Sequence, residues 1–293
     1  FFPFLENGKT SSIKNIQSTG FYPIIKTLVE QDSCKAIITH VKSTADSISI
    51  LFDKEVMSPK VFHIPMGIAA PSWQKVTSEK NREPLSPKFL ISNSWHQSPG
   101  NFYLRGGLES VKAFAEIKAD FPNAELVIRA KLPPDLPEMF HDIIEKCDIR
   151  VIDEFLPADE WEALKLSMNF FLIPSARIHI VSMLEAMAYG MILVASDGWA
   201  IDEYATDGLD AVLVEGRKKV SHVDSSSGIL SEDYSSMYRV DSEIVQQIVT
   251  KVTSLILNPK QQDAVRLEAR KAIDEKYSIE KFNTRLREIL DYV

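Results

Sequence analysis

Cysteine is nearly missing from this chain: Cys34 and Cys147 are the 2 present, far apart and in no C-x-x-C pair. Two isolated thiols provide neither a disulfide framework nor a thiolate metal centre, and they point to a reducing compartment. The 6 histidines share no paired helical spacing, so no metal is expected. No apolar run approaches the length of a bilayer span, which leaves a soluble chain or a peripheral one, in the cytoplasm or at the inner membrane face. Basic residues number 33 against 41 acidic ones, and a net charge of −8 argues against general nucleic-acid binding. A charged-then-apolar leader is absent too, and with Phe1 at its head the sequence reads as starting inside a longer polypeptide. What is plentiful is apolar side chain, 45% of 293 residues, enough for two ordinary domains with cores of their own.

The organising stretch is 170–210. Phe170-Phe171-Leu172-Ile173 is a short apolar run without alternation, and Met191-Ile192-Leu193-Val194-Ala195 is another. Such runs are parallel strands covered on both faces. The segment between them has helical length, Gly190 stops it, and Asp197-Gly198 closes the second strand with turn chemistry. A strand, helix, strand unit of this kind belongs to a doubly wound parallel α/β sheet. Ligands of such sheets bind beyond the carboxyl ends of the strands, so 174–180 and 197–203 should share one rim. Glu185 sits among Val181, Met183, Leu184, Ala186, Met187 and Ala188, where an unpaired carboxylate is costly. Ser182-Met183-Leu184-Glu185 fits a capping box, which would make Glu185 structural. The other reading is a carboxylate at the rim that accepts hydrogen bonds from a ligand's hydroxyls.

Pro174-Ser175, the run Leu184-Glu185-Ala186-Met187-Ala188 ending at Gly190, and Glu203 ahead of Asp207-Gly208 together resemble the donor-binding domain of family 4 glycosyltransferases. These are retaining enzymes of the GT-B fold. The resemblance implies a Rossmann-like donor domain and transfer of a sugar from a nucleotide diphosphate sugar to a hydroxyl of a carbohydrate, lipid-linked or small-molecule acceptor, without a metal cofactor. It implies Glu185 on the ribose, with Ser182 beside it. Arg105, ahead of Gly106 at a helix start, takes the place of the family's diphosphate-binding basic residue. Lys131 and Phe155, after the next two strands, fall near the nucleotide, and Glu203 fits a glutamate on a short helix facing the donor. The family's first signature glutamate is replaced here by Arg177, and the glycine-rich turn after it by Ile178-His179-Ile180. Arg177 and His179 are therefore the candidates near the transferred sugar, with Arg177 either a bidentate cation toward a carboxylate or phosphate or a solvated loop residue. A rival in the same fold is a sugar-nucleotide-binding or scaffold subunit, inactive alone; a sugar-nucleotide epimerase is a weaker one.

The same resemblance divides the chain. Residues 1–68 correspond to the end of an acceptor domain, whose remainder would be a missing segment or a separate polypeptide. Residues 69–87, with Pro71, Pro84 and Pro87, read as a linker, 88–276 as the donor domain, and 277–293 as a helix packing back toward the first domain. A helix over 108–121 should face the core with Val111, Phe114, Ala115 and Ile117 and leave Glu109, Lys112, Glu116 and Lys118 outside. The polar stretch 215–238, centred on Ser225-Ser226-Ser227-Gly228, reads as a mobile or specificity loop, with Arg217-Lys218-Lys219 a solvated turn or a contact for an anionic surface.

Overall fold

The computed structural model describes residues 16–80, 83, 85–93, 97–219, 221–223, 230–232 and 234–292. Near its start, β1 (Ile37–Thr39) and β2 (Val61–His63) pair in parallel, with the helices Lys42–Leu51 and Lys54–Met57 between them. The main sheet follows: β3 (Lys88–Ser92), β4 (Glu125–Arg129), β5 (Arg150–Ile152), β6 (Phe170–Ile173), β7 (Ile192–Ser196) and β8 (Val212–Val214). All pairings in it are parallel, in the order β5-β4-β3-β6-β7-β8. The strand order reverses between β3 and β6, and the crevice at such a switch point is where doubly wound sheets take ligands.

The apolar runs alternate their side chains between two cores. Phe89, Phe170, Leu172, Ile192 and Val194 enter one, under the helices Gly107–Asp120 and Ser242–Ile256. Leu90, Phe171, Ile173 and Leu193 enter the other, with Met183, Met187 and Ile273. Phe89 stacks on Phe170 at 5.0 Å, and Phe114 meets Phe89 edge-on at 5.6 Å. Among the described residues no helix is long and apolar enough to cross a membrane.

Several elements differ from their sequence expectation. The proline-marked segment after Ile68 contains the helix Trp73–Glu79, whose N-cap Ser72 accepts from the Lys75 amide at 3.3 Å. Just past it Lys80 is buried, donating to the carbonyls of Met168 at 2.7 Å and Tyr189 at 2.8 Å, and burial pushes its pKa down to about 7. In the helix Gly107–Asp120, Glu109 and Ala113 are buried while Ala115 is only half-buried. The helix Ser242–Ile256 covers the side that the charge pattern assigned to solvent; Gln246 reaches Glu116 across it at 2.8 Å. The polar stretch is not a plain loop: β9 (Ser221–Val223) and β10 (Leu230–Glu232) form an antiparallel hairpin between 3-10 turns at Arg217–Lys219 and Ser235–Tyr238. The turn contains no solvated arginine, because Arg217 is buried. Ser225-Ser226-Ser227-Gly228 lies outside the described residues, as do residues 1–15. The terminal helix Ile279–Tyr292 places Phe282 5.7 Å from His40 and Tyr292 6.1 Å from Phe62.

Candidate functional site

Two glycines build the rim at the switch point. Gly106 has φ +74°, and a Cβ there would lie 2.5 Å from the Pro174 carbonyl oxygen, so only glycine lets this helix start close on the end of β6. At Gly198 a Cβ would lie 2.4 Å from the Ser175 carbonyl oxygen. The close approach lets the two rim segments stitch together: the Trp199 amide donates to Ala176 at 2.9 Å and the Ile178 amide to Trp199 at 2.9 Å. Segments 174–180 and 197–203 thus share one rim.

Arg105 is buried against this junction. Its Nη1 donates to the Ser92 carbonyl at 2.9 Å and to Ser182 Oγ at 3.2 Å, while Nε is enclosed with no partner. Burial lowers its pKa to about 10, which leaves it cationic at neutral pH. Ser182 makes no capping box. The helix Ile180–Ala188 has His179 at its N-cap without a side-chain bond, so Ser182 is already inside the first turn and its oxygen serves Arg105. Glu185 reaches instead toward Lys165, at 3.2 Å.

His179, at the N-cap of the helix Ile180–Ala188, is acted on by the charges of two guanidinium groups. Desolvation first, then the charges of Arg105 and Arg177, hold its pKa well below 6.5, and its Nε2 is enclosed without a partner. The ring is therefore a neutral imidazole at physiological pH. Arg177 itself is exposed, its guanidinium 5.8 Å from the Tyr234 ring. Arg129, at the end of β4, donates from Nη1 to the Asn93 carbonyl at 3.1 Å and lies 4.8 Å over Trp161. Burial lowers its pKa, partly offset by the Glu185 charge. Lys131 and Phe155 stand exposed on the loops after β4 and β5.

Glu203 does not face this cluster. Its carboxylate accepts from the amides of Lys42 and Ser43 and from the Ser43 hydroxyl. Beside it, the Tyr204 hydroxyl donates to the His40 carbonyl and accepts from the Met66 amide at 2.9 Å. The reason is local. The helix Lys42–Leu51 has Val41 at its N-cap, a residue with no side-chain oxygen, so its first amides are satisfied by the Glu203 carboxylate. Glu203→Ala should speed hydrogen exchange of the Ser43 amide about 10-fold and cost about 1 kcal/mol of stability, the usual worth of a lost cap. Unchanged exchange at Ser43 would show that the contact carries no energy.

One further feature gathers the site. Asn93 Oδ1, Arg105 Nε, Arg129 Nε, His179 Nε2 and Trp199 Nε1 are all enclosed without a hydrogen-bond partner. They follow or end β3, β4 and β7, or flank the start of the helix Ile180–Ala188, so they belong to the carboxyl-end rim. Each such group left unpaired costs about 1–3 kcal/mol. Of these, Arg105 and His179 stand out in the sequence as site candidates, Arg129 only as a strand-end charge. Asn93 and Trp199 carry no spacing signal and emerge from the fold alone.

No protein-family model and no curated protein matches the chain by sequence. Solved structures do. HepE of Anabaena, in complex with UDP and glucose, is similar at a TM-score of 0.64 and 14% identity, over 97% of this chain and 68% of that one. The pneumococcal O-GlcNAc transferase GtfA, with UDP and GlcNAc, gives 0.62 and 14% over 93% of this chain and 48% of its own, so the present chain spans about half its length. The C-terminal domain of the group 1 family glycosyltransferase LpcC from Francisella tularensis gives 0.50 and 16%, over 73% and 96%. Likeness at such identity establishes architecture rather than chemistry, and the architecture is that of the GT-B glycosyltransferases.

Proposed function

We propose that this chain is a family 4-like glycosyltransferase that binds a nucleotide diphosphate sugar at the rim and passes the sugar to a hydroxyl of a carbohydrate or lipid-linked acceptor, with retention at the anomeric carbon. The observation that carries the reading is that Arg105 and Arg129 hold the neighbouring carbonyls of Ser92 and Asn93 at the end of β3, beside the sheet's switch point, with the Arg105 charge also acting on His179. A cationic rim on a chain of net charge −8 suits an anionic ligand, and structurally similar proteins hold UDP.

In this reading Glu185 accepts from the ribose hydroxyls and Arg105 meets the diphosphate; Gly106 contributes the close packing of the rim rather than a donor, because its amide already donates to the Tyr103 carbonyl at 2.9 Å. Lys131 and Phe155 flank the base from the solvent side. Ser182 acts through Arg105, by fixing its guanidinium. During transfer the acceptor oxygen bonds to the anomeric carbon as that carbon's bond to the phosphate oxygen breaks, and the acceptor proton leaves with the departing diphosphate. Charge grows on that diphosphate, where the preorganised Arg105 is worth most. His179, neutral, offers one hydrogen bond near the reacting sugar without adding charge, and Arg177 meets an anionic group there. Arg177 also favours a second reading, a subunit that holds the donor without consuming it, because the resemblance calls for a glutamate at this position.

The decisive experiment is calorimetric titration with UDP, GDP, ADP and dTDP, repeated with Glu185→Ala. One nucleotide should bind, and the variant should weaken it about 10–100-fold, as expected for hydrogen bonds to a charged group. Failure of all four to bind would sink the reading. Where one binds, release of that diphosphate from its sugar conjugate separates the transferase from the holding subunit.

A further inference from the structure

Lys165 is a buried cation whose fold role is not obvious. It lies on the helix Ala158–Ser167, yet its side chain is only 5% exposed. Its Nζ is 3.2 Å from Glu185 Oε1, 3.9 Å from the centroid of the Tyr189 ring and 5.2 Å from that of Trp161. The ring of Trp161 also carries the Arg129 guanidinium, at 4.8 Å. An ammonium removed from water requires a counter-charge and polarisable faces, and these are what surround it. Glu185, by contrast, is 34% exposed. Its Oε1 meets Lys165, its Oε2 accepts no hydrogen bond from a described residue, and the Arg129 charge also acts on the carboxylate.

A free glutamate side chain has several rotamers, and an acceptor that must select one on binding loses affinity to that ordering. The cage removes the choice. We propose that Lys165, boxed by Trp161 and Tyr189, is a positioning residue that fixes the Glu185 carboxylate so that Oε2 is presented to the vicinal hydroxyls of a nucleotide's ribose. This rests on the reading of the rim as a nucleotide-sugar site. A lysine that only filled the core would have no bearing on which hydroxyls a ligand carries.

The test compares UDP with 2′,3′-dideoxy-UDP by calorimetry in the full chain. The wild type should prefer UDP about 30-fold, since a site built to bond a hydroxyl rejects a ligand lacking it. In Lys165→Met the preference should fall below about 3-fold, with affinity for the dideoxy analogue changed by less than about 3-fold. Lys165→Arg, which keeps a cation between the rings, should restore most of it. Lys165→Gln, closer in shape and polarity, serves the same comparison if the methionine variant fails to fold. A preference that survives loss of the charge overturns the proposal. So does a wild type that binds both nucleotides alike, which leaves the nucleotide site standing. Binding of neither nucleotide would overturn the positioning role and count against the site for a uridine donor.

Discussion

Replacing Arg105 by alanine is expected to weaken nucleoside diphosphate binding about 100-fold, and by lysine about 10-fold. The size follows from where the guanidinium lies. It is already buried and already held through Nη1 by Ser92 and Ser182, so binding an anion requires neither its desolvation nor its ordering. Lysine keeps the charge but has no second nitrogen to leave for the ligand. A companion effect distinguishes lost charge from a collapsed site. Arg105 is one of the charges that hold the His179 pKa below 6.5, so its removal should let that pKa climb, measurable by NMR titration of the imidazole. The sign for stability is fixed as well. A histidine depressed in the folded state binds its proton more readily when unfolded, so stability falls as pH drops from 6.5 toward the lowered pKa, and less steeply in the variant. Unaltered affinity in Arg105→Ala would place the diphosphate elsewhere.

Much of the fold can be read in the residues because its strands are covered on both faces. Phe170 to Ile173 and Ile192 to Ser196 are apolar at nearly every position, which is what a central parallel strand demands, and Gly106 and Gly198 stand where backbones nearly touch. Arg105 and His179 are singled out by the family resemblance, and Glu185 both by it and as a carboxylate in an apolar stretch. What could not be read were partners. Glu203 is visible as a rim glutamate, but its target is a helix start 160 residues earlier that has no cap of its own. Lys165 looks like one more helix-surface lysine until Glu185, Tyr189 and Trp161 are seen around it. The Ser182–Glu185 spacing misleads because a four-residue pattern does not say where the helix begins, and an N-cap three residues earlier, at His179, turns a cap into a ligand for Arg105. Glu109 misleads for a similar reason: periodicity marks which side of a helix faces its sheet, not whether a second helix covers the back.

That second covering makes Glu109 and Arg217 the most consequential pair outside the rim. Both side chains are essentially unexposed, 0% and 1%, and their charged ends lie 2.8 Å apart. Arg217 Nε also donates to the Pro174 carbonyl at 3.1 Å, and Glu109 Oε1 accepts from the Asp241 amide at 3.0 Å. One contact thus joins the helix Gly107–Asp120, the end of β6, the turn after β8 and the start of the helix Ser242–Ile256. Removing one partner strands a charge in the core. Arg217→Met should therefore cost about 3–5 kcal/mol, read as a fall in Tm of roughly 6–20 °C. The double variant Glu109→Leu with Arg217→Met should recover most of that loss, because two apolar side chains satisfy each other where a lone carboxylate cannot. Additive losses in the double variant would mean that each residue works through separate bonds, Arg217 to Pro174 and Glu109 to Asp241, and that the ion pair contributes nothing of its own. The rim adds a second readout. With the Pro174 carbonyl released, the close packing of Gly106 beneath it loosens, and Arg217→Met should weaken diphosphate binding several-fold at temperatures where the protein is still folded, although Arg217 never meets the ligand.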